Sequence, residues 1–228
     1  TATLDLNGNS QLLGILRSPN SLAITGSGGT IVNSAASTNA TLISVGSDNA
    51  WGGNISSGAG SIFFNKSGAN TMTLYSANTY TDGTLINGGA LELKDEGRLP
   101  GTTAIAIRNA ALNLTNSGTM DMADRVNDSA PITLRGGTIL LTSRDATNTS
   151  ELFGALTFEG GQNRIVTGLA SNGTIRSSVL QFGNVTQTNF ATLETNYTGQ
   201  MGSAARMILA NGTSLLVNGI IPWATDYS

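Results

Sequence analysis

Catalytic chemistry in a chain of this size most readily comes from histidine, cysteine or paired carboxylates, and two of the three are missing. The 228 residues contain no His and no Cys. Their absence removes the commonest general base, the Ser-His and Cys-His nucleophile pairs, imidazole and thiolate metal sites, and any disulfide framework. Carboxylates remain. Asp121 and Asp124 stand three apart beside Arg125, and Asp82 sits in Thr81-Asp82-Gly83. A poised acid and base drawn from such groups is what a carbohydrate-active enzyme would need. Each has a plainer reading: Asp before Gly caps a tight turn through its own side chain, and Asp121 with Asp124 suits a solvated loop.

Metal and phosphate motifs fare no better. Asp5-Leu6-Asn7-Gly8-Asn9 imitates the start of a calcium loop, but Gly8 is misplaced and no bidentate Glu follows at the twelfth position. Gly28-Gly29, Gly52-Gly53 and Gly136-Gly137 are never followed by the Asp of a calcium-binding β-roll, and no Gly-rich stretch ends in Gly-Lys-Ser/Thr. The ten Asn-x-Ser/Thr triplets match what the Asn, Ser and Thr content gives by chance. The sequence therefore points to no catalytic residue, no metal site and no cofactor.

The elements that would position such groups are short and numerous. Alternating stretches recur, among them Thr30-Ile31-Val32, Ser61-Ile62-Phe63-Phe64, Ala90-Leu91-Glu92-Leu93, Ala104-Ile105-Ala106-Ile107, Ala111-Leu112-Asn113-Leu114 and Pro131-Ile132-Thr133-Leu134. Period-two alternation with β-branched enrichment means strand. Between them Asn87-Gly88-Gly89, Arg135-Gly136-Gly137 and Glu159-Gly160-Gly161 supply the positive φ of sharp corners. Leu85 to Ile105, Leu91 to Leu112 and Leu112 to Ile132 are near-equal steps, each the length of one solenoid repeat. That spacing predicts an all-β parallel β-helix, or β-solenoid, with coils of about 20–25 residues and right-handed winding. A β-sandwich would show hairpins at closer intervals and more aromatic core than the 5% here. Ile62, Phe64, Leu74, Leu85, Leu91, Leu93, Ile105, Ile107, Leu112, Leu114, Ile132 and Leu134 are the expected inward residues.

Composition sets what can bind. Only 11% of residues are charged, against roughly 25% in an average domain, and the net charge is −3. No run of Lys or Arg exists to neutralise phosphates, so nucleic acid and anionic membranes are not the expected partners. No apolar run is long enough to span a membrane. The surface must be mostly hydroxyl, amide and backbone. In a solenoid, amides at one corner can stack into ladders at about 4.8 Å, and Asn54, Asn78, Asn87, Asn109 and Asn113 are the candidates.

Residues 57–91 are more specific. Lys66, then Thr71-Met72-Thr73-Leu74, Asn78-Thr79-Tyr80, Gly83-Thr84, Ile86-Asn87-Gly88 and Leu91 closely resemble the autotransporter-associated β-strand repeat. Ala77 and Asn70 stand where that repeat usually has Gly, which touches corners only. The likeness is strong over 53–115 and suggestive elsewhere, including Ile220-Ile221-Pro222-Trp223. It implies a secreted passenger of a Gram-negative cell, presented by a C-terminal membrane barrel, and turn or ladder roles for Asn78, Tyr80, Gly83, Asn87 and Gly88.

Three expectations follow. Residues 1–228 form one continuous β-helix segment cut from a longer tandem-repeat chain. Its function is that of an extracellular structural or adhesive scaffold, with a carbohydrate-active β-helix enzyme (polysaccharide lyase or hydrolase) as the alternative. Its partners are neighbouring copies or flanking repeats, met head to tail through Leu4, Leu6, Leu216, Ile220, Ile221 and Trp223 at uncapped ends, and surface glycans or host and neighbouring cell surfaces.

Overall fold

The computed structural model describes residues 2–18, 24–47, 49–169, 177–198 and 205–227. Every strand pairing among them is parallel. The single antiparallel contact is an isolated bridge between Val217 and Ile220. No α-helix occurs among the described residues, and one 3-10 turn spans Gly212–Leu215. Parallel strands cannot be joined by hairpins, so each strand bonds to its equivalent one coil later. The fold is a parallel β-helix.

Each coil visits three faces. The first runs through Thr3–Asp5, Thr30–Asn33 and Asn54–Ser57, continues by single bridges from Ser56 to Thr79, Ala77 to Arg98 and Leu99 to Val126, and resumes in Asn148–Phe153, Ser177–Phe182 and Ala205–Leu209. The second holds Gln11–Leu13, Asn39–Ser44, Ser61–Ser67, Ile132–Arg135, Leu156–Gly160 and Val185–Gln187. The third holds Asn49–Trp51, Thr71–Leu74, Thr138–Ser143, Gln162–Leu169, Thr192–Thr198 and Ala224–Asp226. The long strands Thr84–Lys94 and Ile105–Thr115 cover the second face and bend onto the third.

Alternation then makes columns. On the second face Leu42, Phe64, Thr84, Ile105, Ile132, Leu156 and Val185 stack inward in register. On the third, Met72, Leu91, Leu112, Ile139 and Ile165 do the same. Leu112 is fully buried between Leu91 and Ile139. Each such side chain contributes about 1.5–3 kcal/mol relative to leaving it in water.

Eleven of the twelve expected inward residues are buried, and Leu85 is the exception. It lies half-buried on the outer side opposite Asn65 and Ala106, because Thr84 and Ile86 take the inward positions. The expected step from Leu112 to Ile132 is also corrected: Ile132 stacks on Ile105, and Leu112 stacks on Ile139. Coil length varies more than the even spacing of the sequence suggests. The coil from Phe64 to Thr84 is short, whereas those from Gln11 to Leu42 and from Leu193 to Ala224 are longer by about half.

Candidate functional site

The corner between the second and third faces forces the backbone into the left-handed region coil after coil. Positive φ occurs at Gly68, Gly88, Gly89, Asn109, Gly136, Gly161, Asn189 and Phe190. A Cβ on Gly89 would lie 2.3 Å from the Asn70 carbonyl oxygen, so both conformation and space demand glycine there. Carbonyls turned aside by the bend need donors, and Lys66 supplies them. Its fully buried ammonium donates to the Gly68 carbonyl at 2.6 Å and the Gly88 carbonyl at 2.8 Å. Burial lowers the Lys66 pKa, the desolvation of a charge held only by dipoles.

Tyr80 works from the inside. Its ring packs against Phe64 and its hydroxyl meets Thr84 Oγ1 at 2.7 Å, which meets Thr102 Oγ1 at 2.8 Å. Burial raises the Tyr80 pKa, and the Thr84 hydrogen bond opposes this only in part. Gly83 does not have positive φ. Its role is space, since a Cβ would come within 2.9 Å of the Phe63 ring, and its N–H is capped by Asp82 Oδ1 at 2.8 Å.

The asparagines bridge coils, but not as stacked amides. Asn78, fully buried, accepts from Ile55 N–H at 2.9 Å and donates to the Ser76 carbonyl at 2.7 Å; Asn54 donates to the Ala77 carbonyl. Asn33, Asn49, Asn163 and Asn211 follow the Asn78 pattern, each Oδ1 accepting a backbone N–H from an earlier coil. The expected Asn ladder is not formed. Asn87 lies exposed opposite Ser67 and Arg108, Asn109 occupies a corner at φ +46°, and Asn113 lies opposite Glu92 and Leu140. Unequal coil lengths put different residue types at equivalent positions.

The largest buried polar cluster was not legible beforehand. Arg125 is fully buried. Nε and Nη2 donate to Asn116 Oδ1 at 2.8 and 2.5 Å, Nη1 to the Asp95 and Gly97 carbonyls at 3.0 and 2.7 Å, and Nη2 to the Thr115 carbonyl at 3.1 Å. Its backbone N–H and that of Val126 donate to the Glu151 carboxylate at 2.8–3.0 Å. Desolvation raises the Glu151 pKa to about 7 against those two N–H donors, with Asp124 adding to the rise and Arg125 opposing it. The guanidinium thus replaces corner hydrogen bonds that the loop from Thr115 to Arg125 leaves open.

Asp121 and Asp124 are exposed on that same loop, whereas Arg125 is buried. Asp121 accepts from Thr149 Oγ1 at 3.3 Å. Asp95 anchors the loop: burial pushes its pKa up, but hydrogen bonds from Thr119 and Met120 outweigh this and leave it lowered. Asp5 binds no cation-like cage either. It accepts from Asn7 and Ser34, whose hydrogen bonds lower its pKa, and so ties the first coil to the second. Among the described residues no three acidic groups gather as a metal site.

The ends differ from the expectation of bare, uncapped coils. At one end Leu4 is exposed but Leu6 is buried, and Leu4, Leu13, Leu16, Ile31 and Trp51 line an apolar cavity of about 450 Å³. At the other, Leu216 and Ile220 are exposed, while Ile221 is half-buried and the Trp223 ring packs on Phe158 at 5.4 Å. The 3-10 turn and the Asn218-Gly219 turn fold Leu215 and Trp223 back onto the core. Leu6 and Trp223 are therefore core residues and not free contact groups.

No helix of the described residues is long and apolar enough to cross a membrane. Comparison with curated proteins and with solved structures gives no match. Among protein-family models, residues 64–93 match the passenger-associated-transport-repeat, in agreement with the autotransporter-associated repeat that residues 57–91 resemble, and that likeness implies a secreted or surface location.

Proposed function

We propose that this chain is a non-catalytic extracellular scaffold, a rigid stack of coils that holds adhesive loops along one edge and joins neighbouring copies or flanking repeats head to tail. The observation that carries this reading is where the polar groups are spent. Lys66, Asn78, Arg125 and Glu151 bond to backbone groups inside the stack, and Tyr80 to the buried Thr84 hydroxyl. The outer positions of the second and third faces mix hydroxyl and amide residues with apolar ones and few charges: Leu85, Ala106, Thr133, Thr157 and Thr186 run in one column, and Thr73, Glu92, Asn113, Leu140, Val166 and Asn196 in another. Such a surface suits adhesion through many weak hydrogen bonds and gives no acid and base in one cleft.

Head-to-tail contact is supported by the exposed Leu4, Leu12 and Ile15 at one end and Leu216, Val217 and Ile220 at the other. Two-ended contacts that do not close generate filaments. Light scattering and electron microscopy of the purified chain test the assembly: rods that lengthen with concentration are expected, and a monomer of constant mass over a wide range would remove this part. Release of reducing ends or unsaturated products from pectin or alginate would overturn the non-catalytic part.

A further inference from the structure

We propose that Asn87, Arg108 and Arg135 form a binding strip for an acidic polysaccharide on the outer side of the second face; the choice of ligand rests on the adhesive-scaffold reading. Arg108 and Arg135 are direct cross-strand partners, and Asn87 is the partner of Arg108 one coil earlier. All three side chains are exposed and lie on the outward side of their strands, where Ile107 and Leu134 next to the arginines point in. Among the described residues none of the three has a partner within the protein.

Two arginines a full coil apart are invisible as a cluster in sequence, yet the coil register sets them one strand spacing apart, about 4.8 Å. Like charges directly opposed across a ladder are destabilising. The other charged pair in the ladders, Arg164 with Glu194, is an ion pair at 2.9 Å, the ordinary stabilising arrangement. Glu159 lies at the register shift opposite Arg135 without an ion pair to it, and one of its carboxylate oxygens is buried. The fold therefore keeps an unneutralised guanidinium pair in a protein where charge is otherwise rare. One anionic group can bridge both guanidiniums, each offering a planar fork of donors. The Asn87 amide then offers donors and an acceptor one coil further along, where a sugar hydroxyl would lie. The three side chains are exposed on the outer side of adjacent strands, which fits a polymer running along the stack better than a compact anion.

The test uses the whole chain over immobilised dextran sulfate, polygalacturonate, neutral dextran and duplex DNA at low salt. R108Q/R135Q is compared with R206Q, which removes an exposed arginine from the first face. The expected result is retention on dextran sulfate or polygalacturonate, with the arm that binds identifying sulfate or carboxylate as the recognised group. Affinity should fall about tenfold or more in R108Q/R135Q, the loss of one charge-assisted contact, and stay within about twofold in R206Q. Salt should abolish it. The melting temperature of R108Q/R135Q should equal or exceed that of the wild type, because repulsion is relieved. Absence of retention, an equal loss in R206Q, equal retention on duplex DNA or neutral dextran, or a lowered melting temperature in R108Q/R135Q would each overturn the strip. The scaffold reading is judged separately, by rod formation.

Discussion

Glu151 should make this β-helix less stable as the pH rises through neutrality. Its carboxyl is 2% exposed and its pKa is raised from 4.5 to about 7, chiefly by desolvation. The Arg125 and Val126 N–H groups pull the other way, as does the Arg125 guanidinium, while Asp124 adds to the rise. A raised carboxyl pKa means that the folded state holds a proton that the unfolded state has released. The stabilisation is complete below pH 4.5, shrinks between 4.5 and 7, and is gone above the folded pKa. The shift corresponds to about 3 kcal/mol at most. E151Q isolates the effect, since an amide oxygen still accepts from both N–H groups but cannot ionise. Urea unfolding followed by circular dichroism from pH 5 to 8, with hydrogen exchange at Arg125 and Val126, reads the difference. Wild type should lose stability over this range and E151Q should show a flatter curve. An equal slope in both proteins, or a wild type that gains stability toward pH 8, would refute the assignment of the proton to Glu151.

The other expected outcomes concern packing and corners. L112D places a charge between Leu91 and Ile139 and should yield insoluble or protease-sensitive protein; a soluble, resistant variant contradicts the register. K66M strands the Gly68 and Gly88 carbonyls and should cost about 2–4 kcal/mol, measured by denaturant unfolding. G89A forces a side chain into the left-handed region within 2.3 Å of a carbonyl oxygen and should lower the melting temperature by several degrees, whereas G26A, also at positive φ but with no neighbour within 4 Å, should do so far less.

The architecture was legible because its signal is periodic. Inward columns such as Leu91 over Leu112 need only alternation and a coil spacing, and both survive in one sequence. Leu85 was misplaced because Thr84-Leu85-Ile86 alternates equally well in either register, and the deciding fact is Thr84 meeting Tyr80 and Thr102 through its hydroxyl. Arg125 and Glu151 were unreadable for a different reason. A charge is buried when several backbone groups converge on it, and those groups come from Asp95, Gly97 and Thr115, which lie as far as a whole coil away in sequence. Of the asparagines expected at corners, Asn109 lies at one and Asn113 lies within a strand, and which backbone groups such residues cap depends on coil length.

Coil length is changed by the connecting loops while the ladders stay in register. Leu93 to Leu99 carries the chain from the third face to the first by a short connection, whereas Leu114 to Val126, the same step one coil later, takes twice as long a path. Ladder hydrogen bonds run between coils and not within the connecting loops, so a longer loop leaves the columns above and below it intact: Leu114 still stacks on Leu141, and Leu99 still bridges Val126. The family match covers 64–93, where Phe64 returns at Thr84 by a short circuit, and the parallel ladder continues beyond it to Asp226. The loops that break the pattern at 116–124 and 144–147 leave the same corner of the stack, held by Asn116, Asp95 and Arg144. Loops that vary over a constant core are what a surface scaffold requires, because the exposed connections can change while the inward columns, and with them the stability of the stack, do not.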